Sequence, residues 1–123
     1  MRTPILIAAS LTALGAMAIP AGAGHASPAA HAAKTSTVKL GEYFYRPKKL
    51  TIRAGDRVRF LNVGKIEHTV ADSTRGGTIR SRVIKPRPLG HGKAQTVRLT
   101  RRGTIYYLCT FHPSLMRGSI VVR

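Results

Sequence analysis

The side chains best suited to holding a soft metal crowd into eight residues near the end of the chain. Cys109-Thr110-Phe111-His112-Pro113-Ser114-Leu115-Met116 carries the only cysteine of the sequence, an imidazole and a thioether. Chance is a poor account of such clustering. A strand ending at Cys109, a tight loop through Pro113 and a return strand from Met116 would aim all three donors at one point. A fourth donor must come from elsewhere, and His68 in Glu67-His68-Thr69-Val70 is the candidate because it begins a β-prone run. His91 competes, but Pro88-Leu89-Gly90-His91-Gly92 reads as an exposed turn. Two imidazoles, one thiolate and a weak thioether match copper in an electron-transfer site, where sulfur holds the reduced ion and imidazole serves both oxidation states.

Other chemistries remain open to these residues. Structural zinc needs four strong Cys or His ligands, and only Cys109 with His68, His91 and His112 would supply them, His91 awkwardly. Cys109 and His112 also form a nucleophile and base on paper, but so small a β domain leaves little room for a substrate cleft. The plainest alternative is a core Cys, a surface His and a core Met that lie close by accident, since such residues usually serve packing.

The rest of the chain says where such a site would operate. Pro4 to Ile19 is almost wholly apolar or small and follows Met1-Arg2, and Pro20-Ala21-Gly22-Ala23 supplies a helix stop and small-residue cleavage site. Residues 1–23 are therefore expected to be a secretion signal, with cleavage as late as residue 32 as an alternative. Residues 24–33 are expected to be a loose Ala/Gly/Ser/Pro tail, and 34–123 one domain, a length that supports a single small core. An exported chain with one cysteine cannot use it for an internal disulfide, which leaves a buried inert residue, a reactive nucleophile, half of an intermolecular bridge or a metal ligand. The chain carries 21 Lys and Arg against 4 Asp and Glu, a formal charge of +17. That field favours anionic partners. The basic residues are spread along the whole chain, as on a solvated face.

Positioning the donors falls to strands. From Thr35 onward short β-branched and aromatic runs are broken by Gly, Pro and charged residues, at about 35–41, 49–54, 57–62, 67–71, 78–84, 94–100, 103–109 and 117–123, with 43–45 extending the first. Leu50 and Ile52, Val58 and Phe60, and Val97 and Leu99 alternate with polar or basic neighbours. Ile105, Tyr107 and Cys109 share one face, which places Cys109 inward. With Ile120 and Val122 these make the expected core, and seven to eight strands predict an all-β, Greek-key sandwich.

The sequence resembles the cupredoxins, the small blue-copper proteins that include plastocyanin, amicyanin and pseudoazurin. The likeness runs through Tyr43-Phe44-Tyr45-Arg46-Pro47, the segment from Leu50 to Asn62, Glu67-His68-Thr69, and Gly103 to Gly118 with the Cys109-to-Met116 loop. It implies one type 1 copper held strongly by His68, Cys109 and His112 and weakly by axial Met116. It also implies that the Thr69 N–H points at the Cys109 sulfur and that Asn62 ties the loops of the site. Three residues separate His112 from Met116, where amicyanin-like loops have two and plastocyanin-like loops four, and Phe60 replaces the usual Trp.

The function this implies is that of a secreted, extracytoplasmic (periplasmic or cell-surface) one-electron carrier and not an enzyme, monomeric, serving an acidic redox partner beside His112. Its charge also allows association with an anionic membrane or cell surface. The rival within the family is a copper-delivery protein that does no redox work. A copper oxidase or nitrite reductase needs further His-rich centres, and only His91 would be left to build one. Specific nucleic-acid binding is not expected, because the aromatics fall in strands or by the ligand loop rather than among exposed cations.

Overall fold

Eight short strands follow from the alternation of the sequence: β1 (Thr35–Gly41), β2 (Phe44–Arg46), β3 (Lys49–Ile52), β4 (Arg57–Asn62), β5 (Ala71–Ser73), β6 (Ala94–Arg98), β7 (Gly103–Leu108) and β8 (Arg117–Val122). The structure, a computed structural model, describes Gly15 and residues 31–123. Gly15 aside, the expected signal lies outside the described residues, as does the tail up to residue 30. Among the described residues there is no helix long and apolar enough to cross a membrane.

The strands form two four-stranded sheets, ordered β2-β1-β4-β6 and β3-β8-β7-β5. In each sheet a parallel pair joins strands distant in sequence, β1 with β4 and β3 with β8, while the other neighbours are antiparallel. The all-β sandwich is the expected architecture. Alternation decides what lies between the sheets: Val38, Leu40, Val58 and Phe60 from one meet Ile52, Tyr107, Ile120 and Val122 from the other in a single buried cluster. Val97 and Ile105, expected inside, are only partly buried and pack against its margin.

Three local expectations differ. Residues 43–45 do not continue β1. The chain turns at Glu42-Tyr43 and β2 folds back antiparallel, pairing Gly41 with Phe44. A Cβ at Gly41 would collide with the Phe44 ring, so glycine lets the ring lie across the turn. Residues 67–71 make one bridge, His68 to Leu89, and pairing with β7 starts only at Ala71. Residues 78–84 carry no strand, only a bridge from Ile79 to Ser73: the Asp72 carbonyl accepts from Arg80 and Ser81, and its carboxylate takes the amides of Val83 at 2.8 Å and Ile84 at 2.7 Å. A side chain that satisfies backbone donors in this way removes the need for a ladder.

Candidate metal centre

Two of the expected donors hang from strand ends and two sit in the segments between strands. Cys109 follows β7 and Met116 precedes β8, and the loop between them closes on itself. The Cys109 N–H donates to the Met116 carbonyl at 3.1 Å, and the carbonyl of His112 accepts from Leu115 at 3.1 Å and Met116 at 3.0 Å. Both sulfur side chains are fully buried, and His112 is half-buried. Outside the loop, Arg117 Nε donates to the Pro113 carbonyl at 2.7 Å, and its guanidinium lies where a Cβ on Gly77 would stand.

His68 reaches the same region from the segment after β4. Its N–H and C=O pair with Leu89. Asn62, at the end of β4, holds this arrangement by donating from Nδ2 to the carbonyls of Ile66 at 2.8 Å and Leu89 at 2.6 Å and accepting from Gly64 N–H at 2.8 Å. The His68 and His112 rings come together with centroids 5.8 Å apart. Thr69 links His68 to the loop: its N–H points at Cys109 Sγ from 3.4 Å, and its hydroxyl oxygen accepts from Thr110 N–H at 2.8 Å. His91 goes elsewhere, its Nδ1 donating to the Gly64 carbonyl at 2.7 Å.

The donors are thus neighbours in pairs. Among the described residues no group of three or more His, Cys, Asp and Glu side chains is gathered as a metal cage. The residues nonetheless fit a metal. His68 is fully buried, and its Nδ1 has no hydrogen-bond partner. Its Nε2 faces Glu42 Oε1 at 3.4 Å. A carboxylate can only accept, so the neutral tautomer that makes this contact has its proton on Nε2 and a lone pair on Nδ1, an arrangement common among metal-binding histidines.

Two contributors were not read from the sequence. The Glu42 carboxylate accepts from the backbone N–H of Lys65 at 2.6 Å and of Ile66 at 3.0 Å, and faces His68. The Ile66 bond, above all, holds its carboxyl below the ordinary carboxylate value of 4.5. As one of only four acidic residues in a strongly basic chain, it stood out by rarity alone. Tyr43 sets its ring edge-on to both imidazoles, with centroids 4.5 Å from His112 and 6.3 Å from His68. It is 46% exposed, and Phe111 and Leu115, in the loop that carries the half-buried His112, are exposed as well.

Residues 32–123 match the family model described as copper binding proteins of the plastocyanin/azurin family. The chain belongs to this family. Its fold is the cupredoxin fold, and its cofactor is a single copper ion. Plastocyanin A/B of Petroselinum crispum is 29% identical over 95 residues, covering 70% of this chain and 98% of the relative. Amicyanin of Paracoccus denitrificans is 29% identical over 120 residues, covering 95% and 89%. Among solved structures, a purple cupredoxin from Nitrosopumilus maritimus superposes with a TM-score of 0.67 at 22% identity, covering 72% of this chain and 99% of that one, a likeness of fold. A blue-copper electron carrier is the general description these relatives support.

Proposed function

We propose that this cupredoxin is an exported one-electron carrier whose copper is held by His68, Cys109 and His112, with Met116 as a weak axial donor. The observation that carries the ligand set is the buried, unpartnered Nδ1 of His68 beside the His112 ring. The Thr69 N–H aimed at Cys109 supports it, because an amide held at that distance fixes the position of the sulfur. Copper, when bound, supplies a reversible one-electron couple. The chain's own part is to hold the donors still: Glu42 fixes the His68 ring, Thr69 fixes the sulfur, and the loop bonds fix His112 and Met116. A rigid frame keeps the rearrangement small when the charge at the site changes.

His112 is the proposed port for electrons. It alone among the four donors is not fully buried, and Tyr43, Phe111 and Leu115 offer an apolar rim against which a partner would exclude water. Acidic partners would be steered by the chain's +17 charge. The extracytoplasmic location is part of the same proposal, supported by the apolar run from Pro4 to Ile19.

The test is to add cupric ion to the purified domain, record the visible spectrum, and measure exchange with a soluble one-electron donor. An intense thiolate-to-copper band that Cys109→Ser abolishes is the expected result. A band that survives in Cys109→Ser would overturn the ligand set. Slow exchange in a protein that keeps its band would instead favour copper delivery. Reduction by an acidic donor should slow as salt is added.

A further inference from the structure

The outward face of the β2-β1-β4-β6 sheet bears cations on every strand. Arg46 on β2, Lys39 on β1, Arg57 and Arg59 on β4, and Arg98 on β6 are all exposed. The register sets like charges opposite one another, Lys39 against Arg46 and Arg57 against Arg98. Arg59 lies between Thr37 and Thr96. Like charges directly opposite on a sheet are destabilising, and such an arrangement is normally relieved by an interleaved carboxylate.

No side-chain carboxylate lies on these strands: the four acidic residues of the chain are Glu42, Asp56, Glu67 and Asp72. Glu42 is committed to Lys65 and Ile66, Asp56 is buried and accepts from the backbone of Lys34 and Arg53, and Asp72 is buried and holds Val83 and Ile84. The cationic field extends past β6 into two clefts that share Arg98, one also lined by Lys85 and Arg87 and the other by Arg101 and Arg102. Among the described residues none of the exposed large apolar side chains lies on these four strands.

We propose that this sheet face is a docking surface for anionic phospholipid headgroups. Its cations spread in two dimensions, across about 14 Å from β2 to β6 at ~4.8 Å per strand. That suits a plane of discrete negative charges, and hydroxyls of Thr35, Thr37 and Thr96 stand among the cations to meet phosphate oxygens. The absence of apolar anchors on the described face makes the attachment superficial and reversible by salt. Glu42 and Tyr43 follow β1 and Cys109 follows β7, so the proposed copper site lies at strand ends and stays open to a redox partner. The attachment does not depend on copper, so it stands or falls separately from the ligand assignment.

Residues 32–123 form one compact unit with its own core, and this domain is the protein to test, with and without copper. Vesicles of phosphatidylcholine, with and without phosphatidylglycerol, are the probe. The quadruple variant Lys39→Gln/Arg57→Gln/Arg59→Gln/Arg98→Gln should bind phosphatidylglycerol vesicles on the order of 600-fold more weakly, each cation near such a surface being worth about fivefold. Lys48→Gln/Lys49→Gln/Arg75→Gln/Arg80→Gln removes the same charge away from this face and should lose less than about fivefold. Should the first variant fail to fold, Lys39→Gln/Arg59→Gln should still lose about twentyfold. Equal losses in both charge-matched variants, equal binding to vesicles without phosphatidylglycerol, or no vesicle binding at all would each overturn the proposal. So would affinity for a soluble polyphosphate chain without affinity for vesicles.

Discussion

Thr69 directs its backbone N–H at the sulfur of Cys109 from 3.4 Å, across forty residues of sequence. The same residue is held on its other sides. Its carbonyl accepts from the Tyr45 hydroxyl at 2.6 Å, and its own Oγ1 lies 2.7 Å from Thr110 Oγ1 and 3.7 Å from Cys109 Sγ. The position of the sulfur therefore depends on β2, on the segment after β4 and on the residue that opens the ligand loop.

Thr69→Ala keeps the N–H but deletes the oxygen that satisfies Thr110 N–H. The expected loss is about 1 kcal/mol of stability with the visible copper band retained. Denaturant unfolding with the band as a second probe checks both, and disappearance of the band would show that the hydroxyl, not the amide, governs the sulfur.

Tyr45 and Tyr107 predict an alkaline limit to stability. Burial first of all raises both phenols above the ordinary value of 10.0, in Tyr45 with added repulsion from Cys109. The folded state thus keeps protons that the unfolded state releases. Their contribution is fully present below pH 10.0 and falls as pH rises beyond it. Tyr45→Phe strands the Thr69 carbonyl and should cost about 1–3 kcal/mol. The Tyr107 hydroxyl is buried without a partner, so Tyr107→Phe should be neutral or stabilising and should flatten the alkaline limb. Urea midpoints across that pH range decide, and an unchanged limb in Tyr107→Phe would refute the assignment.

Gly118→Ala should damage the fold next to the ligand loop. Gly118 pairs with Tyr107, whose ring and hydroxyl occupy the place of any Cβ. Overpacking of this kind costs about 1–3 kcal/mol. A melting temperature equal to that of the parent would show that the ring moves aside freely.

Glu42→Ala should weaken copper binding. It leaves His68 Nε2 without its facing carboxylate, and the Lys65 and Ile66 amides without an acceptor. Loss of such an outer partner lowers metal affinity by about 10–100-fold. A competition titration measures this, and an affinity within about twofold of the parent would deny Glu42 a role in orienting His68.

Much of the fold was legible because β alternation is a local signal. The bounds of β1 and β4 match the expected runs 35–41 and 57–62, where Val38 and Leu40 alternate with Thr37 and Lys39, and Val58 and Phe60 with Arg57 and Arg59. The expectation weakened wherever side chains supplant the ladder, as the Asp72 carboxylate does for Val83 and Ile84, because nothing adjacent in sequence marks that capture. Glu42 and Tyr43 escaped notice for a related reason. Their chemistry lies in what the turn after β1 brings them against, not in their neighbours along the chain.

The sequence by itself determined the candidate donor types, the clustering of three of them in one loop, the inward set of Cys109 and the basic character of the chain. All of these follow from composition and short-range spacing. Only the tertiary structure decided that His68 rather than His91 lies beside His112, that Thr69 faces the sulfur, and that cations oppose cations across one sheet. Those relationships are set by the pairing register of strands far apart in the chain, and register emerges from the packing of the whole sandwich.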